Sequence, residues 1–220
     1  YLGYASIRLD GNARVSDLEV PLVYFGACLT LAVSALALTS AQYVRRLAAL
    51  ESENITDSLL GIPNYRYFSA RLSEEVARSN RYQPPLSLIM VDVDHFTKIN
   101  DTYGYRVGDL VLIALAKLVL SIARDTDITA RYGRQEIAVI APNTSVAEAA
   151  RFAERIRQRV ETASLLPPEV SVGSNAAGVT VSIGVSSLGP HVRDARVLIA
   201  EAYAALLNAK HGGRNRIAVS

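Results

Sequence analysis

Arg131-Tyr132-Gly133-Arg134-Gln135-Glu136-Ile137 is the segment of this chain with the most chemistry in the fewest residues. Apolar strands flank it, Ile128-Thr129-Ala130 before and Ile137-Ala138-Val139-Ile140 after, so it reads as a β-hairpin. Gly133 is expected to make the turn, because glycine tolerates positive φ. The turn carries one carboxylate, Glu136, beside one amide, Gln135. A glutamine offers a carbonyl oxygen to a hard cation, but it brings no charge and cannot act as a base. Two further clusters stand near it in sequence: Asp92-Val93-Asp94 at the end of an apolar run, and Arg124-Asp125-Thr126-Asp127, which ends five residues before Gly133.

The elements that must position these groups alternate between helix and strand. Phe68–Arg81 has the amphipathic spacing of a helix, ended by Pro84-Pro85. Leu86–Val93 is nearly continuous in apolar residues, as a buried central strand is. Val107–Ala123 reads as a helix, followed by the hairpin. Val146–Glu161 is a second long helix, Val179–Ser186 a strand, Ala195–Ala209 the last helix and Ile217–Val219 the last strand. Alternation with an antiparallel hairpin predicts an α/β fold with a mixed sheet and flanking helices.

Composition sets further bounds. The 220 residues are 50% hydrophobic with a formal net charge of +2, which gives no bulk electrostatic case for nucleic acid. A single cysteine, Cys28, excludes an internal disulfide framework. Leu22–Ala41 contains no charged residue and has the length of a membrane-spanning helix. Arg45 and Arg46 follow it, while Asp10, Asp17 and Glu19 precede it, which predicts the N-terminal end outside and the remainder in the cytoplasm. A cleaved signal peptide fits less well, because the basic residues follow the apolar run. Residues 1–20 alternate like the last strand of an extracytoplasmic domain, with a short juxtamembrane tail as the alternative. Residues 43–56 carry a helical stripe that suits either a short coiled coil or a plain stalk. The expected division is therefore 1–20 extracytoplasmic, 21–42 transmembrane, 43–56 linker helix and 57–220 the α/β domain.

Five segments in order resemble the GGDEF domain, the family of diguanylate cyclases that make cyclic di-GMP from two GTP molecules. They are Asp57-Ser58-Leu59-Leu60-Gly61-Ile62-Pro63-Asn64; Val91–Asp101; Tyr103-Gly104-Tyr105-Arg106-Val107-Gly108-Asp109; Val179–Val185; and Ala209–Asn215, with the hairpin as the signature. The resemblance implies a ferredoxin-like core shared with nucleotide cyclases and polymerase palms, here preceded by one transmembrane helix. With the uncharged run Leu22–Ala41, the expectation is a bacterial inner-membrane protein, single-pass, with this domain in the cytoplasm, and the two-fold symmetry of cyclic di-GMP makes a homodimer the expected assembly.

The resemblance assigns roles as well. Asp92 and Glu136 correspond to metal-binding carboxylates, with the Val93 carbonyl beside them. Gln135 stands where the family has an acid, and Arg134 where it has a second glycine, so a long side chain is expected to intrude on the nucleotide. Asn100 and Asp109 match the guanine-reading pair, and Lys210 and Arg214 the phosphate contacts. Thr97 replaces a family lysine, Tyr105 a histidine, Tyr203 an aspartate and Tyr65 an arginine. Arg124 and Asp127 match the inhibitory R-x-x-D motif that binds cyclic di-GMP, and Arg155 a further arginine of that site. Arginine forks suit such bidentate contacts.

The expected function is a membrane-anchored cyclic di-GMP receptor with a degenerate condensation site. That reading needs no cofactor; Mg²⁺ accompanies any residual GTP binding. Two alternatives are a diguanylate cyclase of low activity, and a non-binding dimerisation or regulatory module for a partner or a phosphodiesterase domain.

Overall fold

The computed structural model describes residues 25, 28–43, 55–167, 178–189 and 194–220. The chain divides into two units, residues 1–54 and 55–220. In the first, residues 28–43 form a helix (α1) whose apolar side chains, Leu29, Leu31, Val33, Leu36 and Leu38 among them, are exposed. Among the described residues no helix is long and apolar enough to cross a membrane. The expected span of 21–42 lies partly outside the described residues, the expected strand in 1–20 wholly so, and the linker 43–56 almost wholly.

The second unit is built on a five-stranded mixed sheet. Its elements in order are α2 (Tyr65–Tyr82), β1 (Leu86–Val93), α3 (Phe96–Tyr103), α4 (Tyr105–Ile122), β2 (Ile128–Arg131), β3 (Glu136–Pro142), α5 (Val146–Thr162), β4 (Val181–Ser187), α6 (Ala195–His211) and β5 (Ile217–Val219). The strand order is β2-β3-β1-β4-β5, with β1 antiparallel to both neighbours and only β4 and β5 parallel. Every residue of β1 is buried, as expected of a central strand covered on both faces.

The period-2 alternation of the strands sorts the core into two layers. Ile89, Val91 and Val93 of β1 join Ile137, Val139, Val181, Ile183 and Val185 under residues of α4 and α5, including Leu115, Val119, Phe152 and Ile156. Leu86, Leu88 and Met90 join Ala138 and Ile140 under Phe68 and Leu72 of α2 and Leu198, Ala202 and Leu206 of α6. By the same parity Asp92 continues the row of Leu86, Leu88 and Met90, toward the face covered by α2 and α6.

Helix ends follow local chemistry. Asn64 caps α2 by accepting from the Tyr67 amide at 3.1 Å, and left-handed Gln83 closes that helix before the two prolines. Glu148 in the first turn of α5 accepts from both the amide (2.9 Å) and the hydroxyl (2.6 Å) of Ser145. The short helix α3 is the element that the sequence pattern does not announce. It starts from His95 in the left-handed region with no side-chain cap, so its usual start signal is missing.

Candidate functional site

The register of β1 against β3 sets Asp92 directly opposite Glu136, so the two acids share one face at the end of the central strand pair. Asp92 is buried, 1% exposed. Its Oδ1 meets Lys210 Nζ from the last turn of α6 at 2.9 Å. Gln135 Nε2 donates to both of its carboxylate oxygens, at 3.2 and 3.0 Å. Burial, and next the charge of Asp92, push the Glu136 carboxyl above the usual range, while Lys210 pulls the other way.

Gly133 serves the turn differently from the sequence-based expectation. It is not among the positive-φ residues. A Cβ there would stand 2.1 Å from Glu136 Oε2, the flexible end of a side chain that would have to move aside. Arg134 has an aromatic neighbour. Its guanidinium lies 5.9 Å from the centre of the Tyr105 ring, within cation–π range, at the start of α4. Two positions that depart from the family pattern thus meet each other.

Two residues that sequence reasoning passed over hold this corner in place. Arg131 donates to both oxygens of Asp57 (3.1 and 3.0 Å), to the Gly133 carbonyl (3.1 Å) and to the Arg134 carbonyl (2.8 Å). Asp57 in turn accepts from the amides of Leu59 and Leu60. The opening segment of the domain is thereby tied to the hairpin turn across 74 positions of sequence. Asp94 is buried and accepts from Thr180 Oγ1 (2.8 Å), Ser182 Oγ (2.6 Å) and the Asn215 amide (3.0 Å), which anchors the loop that carries Arg214. Both acids belong to quoted motifs, and that was the available signal.

Asn100 lies inside α3 and Asp109 in the second turn of α4, which has no side-chain cap. Asn100 rests on Gly108, where an added Cβ would lie 1.9 Å from its Oδ1. That Oδ1 is buried against Gly108 and has no hydrogen-bond partner among the described residues. Lys210 is partly buried, and Arg214 is exposed.

A divalent cation at this site needs hard oxygen ligands with charge. The two carboxylates present, Asp92 and Glu136, are as many as Mg²⁺ ordinarily takes beside substrate phosphates, and in this structure both oxygens of Asp92 face N–H donors. Among the described residues no group of three or more acidic, histidine or cysteine side chains is gathered for a metal.

Arg124, Asp127 and Arg155 line one cavity of about 390 Å³, together with Thr144, Glu148, Arg151, Phe152, Glu154 and Gln158. Arg124 and Asp127 do not pair through their side chains. The Arg124 amide donates to Asp127 Oδ2 (2.9 Å), and the Asp127 amide to the Arg124 carbonyl (2.9 Å). The turn so formed leaves the guanidinium free of the carboxylate. Asp127 Oδ1 is buried without a hydrogen-bond partner among the described residues. Arg155 lies over Phe152 at 5.5 Å, and the guanidiniums of Arg124, Arg151 and Arg155 make no hydrogen bond among the described residues. Glu148 and Glu154 are already engaged, by Ser145 and Arg157, and both are held below the usual carboxylate range by those bonds.

A mixed sheet with facing carboxylates on β1 and β3, together with an arginine-lined cavity, defines a nucleotide-cyclase-like palm. Residues 54–216 match the family model described as diguanylate cyclase, GGDEF domain, and the chain belongs to that family. It is 39% identical over 163 residues to the response regulator PleD of Caulobacter vibrioides, covering 74% of this chain and 35% of the relative. It is 35% identical over 216 residues to diguanylate cyclase A of Treponema denticola, covering 97% of this chain and 54% of the relative. The chain thus spans about a third to a half of these curated relatives. Among solved structures it resembles the GGDEF domain of DgcB from Caulobacter crescentus in complex with c-di-GMP, with TM-score 0.70 and 30% identity over 76% of this chain and 96% of that one. It also resembles the active GGEEF domain of a Vibrio cholerae diguanylate cyclase, with TM-score 0.65 and 35% identity over 71% and 96%.

Proposed function

We propose that this chain is a signalling protein whose GGDEF domain binds cyclic di-GMP in the cavity of Arg124, Asp127 and Arg155 and turns over GTP slowly or not at all. The observation that carries this reading is the presence on one cavity wall of guanidiniums that make no hydrogen bond among the described residues, together with the buried Asp127 Oδ1, which has no hydrogen-bond partner among them. A cyclic dinucleotide brings phosphates for the arginine forks and the N–H edge of guanine for the carboxylate. The DgcB domain, solved with that ligand, supports the reading by likeness. Because the ligand has two-fold symmetry, it can join two such domains, and a homodimer is the assembly we propose. The uncharged run Leu22–Ala41, followed by Arg45 and Arg46, supports membrane anchorage with the GGDEF domain on the cytoplasmic side. Calorimetric titration with cyclic di-GMP tests the central part. Binding that Arg124→Ala abolishes supports it, and absence of binding refutes it.

A second reading has its own observation. Asp92 and Glu136 stand opposite each other across two strands, and the curated relatives above include a diguanylate cyclase. A cyclase of low activity would use these two acids with Gln135 in place of the third. Chromatography of nucleotide products from GTP decides it. A measurable rate that Gln135→Glu raises favours the enzyme, and no product from either protein removes this reading.

A further inference from the structure

The segment that joins α6 to β5 runs through a backbone region that side chains disfavour. Gly213, Arg214 and Asn215 have successive positive φ values of 113°, 63° and 44°. Outside glycine, that region brings Cβ too close to the following carbonyl oxygen, and asparagine tolerates it better than arginine. Such a turn persists where surrounding bonds over-determine it. Asn215 supplies those bonds. Its amide donates to the buried Asp94 at 3.0 Å. Its side-chain oxygen accepts from Arg157 Nη1 at 2.9 Å, and its side-chain nitrogen donates to Glu161 Oε1 at 2.7 Å. Arg157 is fixed in its turn: its side chain is 15% exposed and pairs with both Glu154 and Glu161. The Glu161 carboxyl is held below the usual range, first by the Asn215 bond and next by Arg157. Both ends of one carboxamide are therefore gripped by α5, from residues one turn apart.

The residue that this grip controls is Arg214. Its backbone is pinned, the amide donating to the Ala209 carbonyl at 3.1 Å and the carbonyl accepting from Arg216 Nε at 3.2 Å. Its guanidinium is exposed and makes no hydrogen bond among the described residues. It follows four positions after Lys210, whose ammonium meets Asp92 at 2.9 Å. We infer that Asn215, clamped by Arg157 and Glu161, is a positioning residue that aims the Arg214 guanidinium at the phosphates of a nucleotide bound beside Lys210. The inference rests on the second reading above, in which that corner takes GTP, and it is independent of the arginine-lined cavity.

The test is calorimetric titration of GTP, in excess magnesium, into the full chain and its variants. Asn215→Ala changes no charge and should weaken GTP binding by about fivefold or more. Glu161→Ala removes a negative charge, which by itself would favour an anionic ligand; the clamp predicts the opposite, a loss of about threefold or more. In an Arg214→Ala background, adding Asn215→Ala should change the affinity by less than about twofold, because Asn215 acts through Arg214. A merely structural role would weaken binding in both backgrounds alike. Circular dichroism of each variant separates a misdirected Arg214 from a lost fold, and Glu161, with its side chain 46% exposed, gives a second variant should Asn215→Ala not fold. Single variants that both bind GTP within about twofold of wild type, or an equal loss in the two backgrounds, overturn the proposal and leave the second reading in place. Absence of GTP binding by folded wild-type protein removes that reading and the proposal with it.

Discussion

Replacing Arg131 with methionine should loosen the signature hairpin from the rest of the domain. The guanidinium makes four hydrogen bonds: two to Asp57 and one each to the carbonyls of Gly133 and Arg134. The side chains of Arg131 and Asp57 are 21% and 19% exposed, so both are largely shielded from water. A fully buried ion pair that loses one partner costs about 3–5 kcal/mol, and an exposed pair costs about 0–1 kcal/mol. Asp57 retains the amides of Leu59 and Leu60, which lowers the penalty for its charge. The freed carbonyls at the turn can take water. A loss of about 2–3 kcal/mol follows, close to the net worth of hydrogen bonds to charged groups. For a unit of this size that lowers Tm by roughly 5–10 °C. Scanning calorimetry of Arg131→Met, Asp57→Asn and the double variant measures it. The cycle should return a coupling of about 1 kcal/mol or more, since the two residues touch. If each single variant lies within about 0.5 kcal/mol of wild type, as surface changes usually do, the claim that this pair holds the turn is wrong.

Other outcomes follow from the same geometry. Gly133→Ala brings a methyl to 2.1 Å from Glu136 Oε2 and should swing that flexible carboxylate aside at a cost of no more than about 1 kcal/mol; chemical denaturation checks it. Asp94→Ala strands the Thr180 and Ser182 hydroxyls and the Asn215 amide, and should cost about 3 kcal/mol. Its hydrogen-exchange signature is lost protection at the Asn215 amide. Glu136, whose carboxyl is raised by burial and by Asp92, keeps its proton in the folded state at pH values where the unfolded chain has lost it. It therefore contributes a loss of stability as pH rises from the ordinary carboxylate range through the raised value, and no further change above it. In EDTA, Glu136→Gln should remove that part of the slope, so denaturation midpoints of variant and wild type should diverge in the variant's favour across this window. Parallel curves would count against it.

Much of the architecture was legible because it rests on periodicity. The continuous apolar run Leu86–Val93 is β1 over the same residues, and Ile217–Val219 is β5. The helix spans expected at 68–81, 107–123, 146–161 and 195–209 each lie within one or two turns of those found. What escaped depends on contacts between residues far apart. Asp57 and Arg131 are ordinary polar residues until the fold brings them together. Gly133 looks like a positive-φ turn residue by type, while the constraint that acts on it is the approach of Glu136. Arg134 was expected to intrude on the nucleotide, and the sequence does not reveal that Tyr105 offers it an aromatic face. α3 begins without a cap and spans eight residues, too short for its own periodicity to declare it. The substitution Gln135 was plain from sequence. Its bond to Asp92, which turns a missing charge into an occupied carboxylate, was not.

The measurement that tests the central claim most directly is calorimetric titration of cyclic di-GMP into the wild-type chain and into Arg124→Ala. The account predicts saturable binding by the wild type and its loss in Arg124→Ala, with circular dichroism unchanged because the Arg124 side chain makes no hydrogen bond among the described residues. Binding of equal strength by both proteins, or no heat from a folded wild-type chain, would contradict it.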